Sequence, residues 1–295
     1  MICESSEFEL MHKAVRDFEY NTYKPVNYLI CKGCKLILQN PLPGKNILSD
    51  FYPDEYRNYL PAGEDLFSSL KKLQFQNLAD KVSKHFNKDS KILEVGFGNG
   101  QLLLTLKQSG YGYLYGSDFT DRMFSSLREK GIKLSCTDIE ESFPFNDLFD
   151  VIILNNVIEH FLQPMQVLKK CKNNLTRSGK IILITPNSSA VEFKIFKKYW
   201  AGYHAPRHTF LFNSENIKLV SKKLGFSNII IEETTDPGQW AISVQNVLQD
   251  FTLTKTKLKN GMAWYTLPLS MVFSPVAMLQ NLTGRSTSMM CVLKN

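Results

Sequence analysis

The run Ile92-Leu93-Glu94-Val95-Gly96-Phe97-Gly98-Asn99-Gly100 constrains this chain more than any other segment. It reads as a short apolar strand entering a turn with glycine at alternate positions, followed by an apolar helix from Gln101 to Gln108. Glycine has no Cβ, so the turn can be tight and the backbone can lie against a ligand. Glu94 stands where its carboxylate can reach a cationic or polyhydroxyl ligand over the strand tip. A nicotinamide or flavin turn would put a small residue at the place of Gln101. Phosphate is also poorly provided for, because the turn holds no Lys or Arg and no G-x-x-x-x-G-K-[ST] loop follows.

A second strand, Gly112 to Ser117, ends in Asp118, about twenty residues past the glycines, the spacing at which a carboxylate takes two ribose hydroxyls. A third, Lys133 to Thr137, leads to Asp138-Ile139. A fourth, Phe149 to Leu154, opens into Asn155-Asn156-Val157-Ile158-Glu159-His160-Phe161. A fifth, Lys180 to Thr185, runs into Pro186-Asn187. Alternating strands and helices from 91 to 187 demand a parallel sheet with right-handed crossovers. A helix from Leu66 to Phe86 precedes it. A helix from Ser214 to Leu224 closes on Gly225, strand six follows at Asn228 to Thr234, and strand seven at Met289 to Lys294. The long insertion between the last two strands should contain helices.

The acid-x-G-x-G-x-G pattern at 94–100 resembles motif I of the class I S-adenosylmethionine-dependent methyltransferases. Glu159-His160 after the fourth strand resembles the E-H signature of the ubiquinone-type and related small-molecule methyltransferases. The resemblance covers roughly residues 66 to 295. It implies an α/β fold, a doubly wound, seven-stranded, mostly parallel Rossmann-like sheet with strand seven antiparallel between five and six. It implies S-adenosylmethionine across the C-terminal strand ends: Glu94, Gly96, Phe97, Gly98 and Gly100 near its amino acid part, Asp118 at the ribose, Asp138 and Ile139 at the adenine, and Phe119 and Asn155 also in the cofactor set. Phe97 either shields the cofactor or packs on the sheet.

After strand five, residues 190–212 are aromatic and basic. Trp200, Gly202, Pro206, Arg207 and His208 match a W-x-G-x-x-x-P-R-H run of similar methyltransferases in cell-surface and natural-product pathways. This segment and 236–288 are expected to be lids over the acceptor. His160, His204 and His208 are the catalytic candidates, since imidazole can take a proton from a hydroxyl or ammonium acceptor. His160 can equally orient the helix start or hydrogen-bond the neighbouring loop. Arg207 either meets an anionic acceptor or belongs to a buried polar cluster pinning the loop. Gly261 to Gly284 carries no charge and two prolines, which fits short helices on the sheet edge or an apolar lid for a lipid-linked or aromatic acceptor.

Residues 1–62 are expected to form a small zinc-ribbon-like module ahead of a methyltransferase domain at 63–295. Cys31-x-x-Cys34 sits on a knuckle with Gly33. Cys3 is the natural third ligand of a structural zinc, His12 a fourth, and an aligned first cysteine would fall just before Met1. The alternative is a ribbon decayed to a shape held by packing. Six scattered cysteines and an acidic, h-region-free N-terminus fit a reducing, cytoplasmic setting.

The charge of +7 is diffuse, without interleaved base-stacking aromatics, so no strong nucleic-acid signal appears, although contact with an anionic membrane surface stays open. The expected activity is methyl transfer to oxygen of a small molecule or a glycan or lipid-linked precursor. The rivals are an RNA methyltransferase, disfavoured because Asn155-Asn156-Val157-Ile158 replaces [DNS]-P-P-[YF], and a non-catalytic cofactor-binding pseudoenzyme. The oligomeric state is not legible.

Overall fold

The computed structural model describes residues 2–54, 56–59, 66–251 and 256–295. Part of the 236–288 insertion expected to be a lid, residues 252–255, therefore lies outside the described residues. Seven strands form the central sheet: β4 (Ile92–Val95), β5 (Leu114–Asp118), β6 (Lys133–Cys136), β7 (Phe149–Asn155), β8 (Leu175–Pro186), β10 (Asn228–Thr234) and β11 (Ser288–Lys294). Their order is β10-β11-β8-β7-β4-β5-β6. β11 is antiparallel to both β8 and β10, and the other pairs are parallel. The fold class is the expected one.

Alternation along the strands builds two cores. In β7, Ile152 and Leu154 point into the layer completed by α4 (Pro164–Asn173) and α6 (Ser214–Leu224). Val151 and Ile153 point into the layer completed by α1 (Leu66–Ser83) and α2 (Gln101–Gln108). A short helix, α3 (Phe124–Arg128), adds Phe124 and Leu127 to the second layer. The fifth strand of the sheet begins earlier than its apolar run suggests. Leu175 already pairs with Phe149, and a register shift absorbs the turn-forming residues before Lys180.

A second sheet joins the two ends of the sequence pattern. It contains β1 (Phe8–Val15), β2 (Val26–Cys31), β3 (Ile37–Asn40) and β9 (Phe210–Leu211), in that order. β9 comes from the 190–212 segment and pairs Ile37 with Leu211. The N-terminal strands thus share one sheet with the 190–212 segment. Within that segment, α5 (Val191–Phe196) is followed by two 3-10 turns. Gly202 is needed there because the Trp200 ring lies where a Cβ would be, 2.2 Å away. The later insertion is a helical hairpin, α7 (Pro237–Phe251) and α8 (Thr266–Gln280).

Candidate functional site

A cavity of about 290 Å³ opens at the C-terminal ends of β4, β5 and β6. Gly96 and Gly98 form its floor, with Asp118, Phe119, Asp138 and Ile139 along one side. Gly96 has φ +69, and a Cβ there would stand 2.4 Å from Val157 Cγ2. Only glycine lets the turn pass under Val157 while leaving the peptide bare.

Asp118 holds the turn in shape: its Oδ2 accepts from the Gly98 N–H at 3.0 Å and its Oδ1 from Thr120 N–H at 3.2 Å. Burial pushes its carboxyl up to about 6, against the pull of those N–H donors. Glu94 lies behind the turn, buried, with Oε2 lacking a partner. Burial and then the neighbouring Asp118 raise its carboxyl well above the usual range. Asp138 receives Lys45 Nζ at 2.6 Å and the Glu140 N–H at 2.8 Å. An orphaned carboxylate oxygen, a second acid over a bare glycine turn and no cation in that turn fit a nucleoside with a cationic tail.

Some expected residues fall elsewhere. Asn155 ends β7 and does not line the cavity; the chain turns at Asn156 (φ 51), which does. Phe97 packs on the sheet against Phe124, 5.9 Å between ring centroids, and so belongs to the core. Gly100 caps α2. His12 is not near the cysteines' ligand atoms as a fourth donor; β1 places it against the Phe193 and Tyr203 rings. Cys3, Cys31 and Cys34 do converge, with Sγ of Cys3 and Cys31 3.4 Å apart. They offer three corners of a tetrahedral thiolate site, and the described residues supply no fourth.

Sequence reasoning missed the cavity's other wall. Lys45, Tyr52, Tyr56, Asn58 and Tyr59 come from the irregular segment after β3 and cover the glycine turn. The run of aromatics at 51–59 was the available signal.

A second cavity of about 520 Å³ lies next to the first. It is lined by His160, His204 and His208, by Arg57 and Lys71, by amides such as Gln74, Asn77 and Gln239, and by apolar groups including Leu70, Ile242, Met262 and Leu267. Tyr56, Asn58, Asn156 and His160 line both cavities.

The three histidines differ in environment. His204 Nδ1 donates to Glu19 Oε1 at 2.5 Å, and its Nε2 faces Tyr56 Oη at 3.3 Å. Burial disfavours the charged Glu19, yet His204 and Arg57 (3.1 Å) hold its carboxyl well below the usual range. Burial depresses the His204 imidazole despite Glu19. Burial also pushes the Tyr56 phenol up to about 12, so it stays protonated. His160 is pushed down to about 3 by burial and by His204 and Arg207, which leaves it neutral and a weak base. His208 donates from Nδ1 to the Gly202 carbonyl at 2.8 Å.

Arg207 does not face the second cavity. It is 1 % exposed and forms a bidentate pair with Asp17 at 2.9 and 3.2 Å. Of its two expected roles, pinning the loop is the one the structure realises.

Glu159 is buried behind His160. Its backbone carbonyl accepts from Thr209 N and Oγ1, tying the 190–212 segment to the turn after β7, and its side chain accepts from Thr185 Oγ1 at 2.9 Å. Burial pushes its carboxyl from 4.5 up to about 8. A carboxyl raised on folding stabilises the protein while both states are protonated and loses that contribution as pH climbs through the folded value. Wild type should therefore lose roughly 4–5 kcal/mol of stability between about pH 4.5 and 8 relative to Glu159→Gln. Denaturant titrations across that range check this, and parallel pH profiles for the two proteins would refute it.

The comparisons agree with this geometry. The methyltransferase-domain family profile matches residues 69–230. An uncharacterized protein of Methanocaldococcus jannaschii is 27% identical over 63% of this chain and 83% of its own length. A ubiquinone biosynthesis O-methyltransferase of Rickettsia canadensis is 25% identical over 64% of this chain and 80% of its own. Among solved structures, an S-adenosylmethionine-dependent methyltransferase from Archaeoglobus fulgidus superposes with a TM-score of 0.52 at 18% identity, over 78% of this chain and all of that one, a likeness of fold. A match spanning more than half of the chain, on the sheet that carries the glycine turn, places this protein in the methyltransferase-domain family, as an S-adenosylmethionine-dependent methyltransferase.

Proposed function

We propose that the protein transfers the methyl group to a hydroxyl oxygen of a small molecule, held in the second cavity. The observation that carries this reading is the shared wall: Tyr56, Asn58, Asn156 and His160 separate a cavity suited to the cofactor from one suited to an acceptor. In this reading Gly96 and Gly98 carry the amino acid part with Glu94 behind them, Asp118 takes the ribose hydroxyls, and Asp138 with Ile139 meets the adenine. When bound, the sulfonium supplies an electrophilic methyl whose thioether leaving group needs no protonation.

The remaining work falls to this chain's side chains: aligning the acceptor, excluding water and receiving one proton. Glu19, His204 and Tyr56 form a carboxylate–imidazole–phenol relay reaching the shared wall. Glu19 fixes the tautomer with the proton on Nδ1, which leaves the Nε2 lone pair toward Tyr56 and the cavity. The acceptor hydroxyl gives its proton to His204 Nε2 through the Tyr56 hydroxyl. His204 has a left-handed backbone, φ 38, a conformation most non-glycine residues avoid, and such outliers concentrate where position matters.

The lining mixes amides and hydroxyls with Leu70, Ile242 and Met262, which suits an acceptor with one polar, hydroxyl-bearing end and one apolar end. The Rickettsia relative, a ubiquinone biosynthesis O-methyltransferase, supports oxygen as the acceptor atom. Incubation with S-adenosylmethionine and a panel of phenols, glycosides and amines, read by mass spectrometry, tests the proposal. Methylation of hydroxylated compounds is expected, and transfer confined to amines or RNA would overturn it.

A further inference from the structure

The outer face of α8 is apolar and uncovered among the described residues. Gly261 to Gly284 contains no charged residue, and only Thr266, Ala277 and Gln280 of α8 are buried. Val272 (68 %), Met278 (72 %) and Leu279 (67 %) are exposed, as are Leu282 (84 %) and Trp264 (80 %) at the helix ends. Scattered apolar side chains are ordinary on a surface, whereas a cluster of this extent marks a contact face. The other side of α8 belongs to the second cavity: Leu267, Ser270 and Ser274 line it, and Met271 lines it while remaining 54 % exposed. The apolar face therefore runs into the cavity mouth. Exposed Lys257 and Lys259 precede the helix and exposed Arg285 follows it. The helix spans about 22 Å, short of a bilayer's ~30 Å core, and among the described residues no helix is long and apolar enough to cross a membrane. An apolar helix with an exposed Trp and cationic flanks is suited to lie in a membrane interface.

We propose that the outer face of α8 docks on an anionic bilayer surface, and that the acceptor is an amphiphile drawn from it. Its polar end would reach the Tyr56–His204 wall, and its apolar part would run along α8. The second half rests on the acceptor reading of the second cavity; the docking does not. A second copy of the chain is the competing occupant. The cations disfavour it, because pairing two copies of this face gathers like charges around one interface, whereas anionic headgroups neutralise them.

Co-sedimentation of the full chain with vesicles tests the docking, using phosphatidylcholine alone and phosphatidylcholine mixed with phosphatidylglycerol. Binding to the mixed vesicles is expected, weakening as salt rises. The triple variant V272E/L279E/L282E should bind at least about tenfold less while keeping wild-type affinity for S-adenosylmethionine, which also reports that it folds. A milder variant, K259E/R285E, should lose the preference for the anionic vesicles. Absence of binding at low salt, or equal binding by the triple variant, overturns the proposal. So does a wild-type dimer in solution that the triple variant splits. Methyl transfer to a short soluble acceptor reports separately on the cavity reading, and its failure leaves the vesicle result standing.

Discussion

Arg207→Met should destabilise the protein by about 3–5 kcal/mol, a large share of the ordinary stability of a folded domain. The guanidinium is fully buried, holds both oxygens of Asp17, donates to the Phe51 carbonyl at 3.0 Å and lies over the Tyr20 ring at 5.0 Å. Without it, Asp17 keeps N–H donors from Glu19, Tyr20 and Thr22 but stays an uncompensated buried charge. Arg207→Lys should fall between, because an ammonium keeps the charge and loses the fork. The double variant D17N/R207M should recover much of the loss, since the penalty comes from a charge left alone rather than from a missing attraction. Urea unfolding of the three proteins checks this. A single variant within about 1 kcal/mol of wild type would show that the pair does not hold the junction.

The same pair explains which parts of the site could be read from the sequence. The glycine turn, Asp118 and Asp138 were legible because strand, turn and acid follow one another locally, and the parallel sheet then brings the strand tips together. Tyr56, Asn58 and Glu19 were not legible. They reach the site only because Asp17 meets Arg207 across 190 positions and β3 pairs with β9. No periodicity encodes such long-range pairing.

Local reading also misjudged side-chain direction. Asn155 and Asn156 are equivalent in composition, and only the left-handed turn at Asn156 decides which one faces the cavity. Arg207 shows a related ambiguity, since an arginine beside two histidines suits an anionic acceptor as well as a buried ion pair. Only the placement of Asp17 separates the two. His12 failed as a metal ligand for a different reason: β1 carries it away to the Phe193 and Tyr203 rings.

His204→Gln should lower kcat by about 10²–10⁴-fold while leaving the affinity for S-adenosylmethionine within about twofold of wild type. Glutamine can still donate to Glu19 and fill the space, but it offers no imidazole lone pair to receive the hydroxyl proton. The lowered basicity of His204 gives a second signature. The neutral imidazole is the working form, so activity should be kept at pH values below its ordinary 6.5 and decline only further to the acid side. Glu19→Gln tests orientation separately: it frees the tautomer and leaves Arg57 unpaired, so it should lower kcat less than the His204 change and shift the acid limb. Tyr56→Phe removes the hydroxyl between the imidazole and the shared wall and should lower kcat without moving that limb. If His204→Gln retains wild-type kcat on a hydroxylated acceptor, the relay is structural and the proton leaves by another route. His160 would not be the substitute base, because burial first, and His204 and Arg207 beside it, push it down to about 3. Solvent would then have to reach the acceptor oxygen, and the covering role of the 51–59 segment would need another explanation.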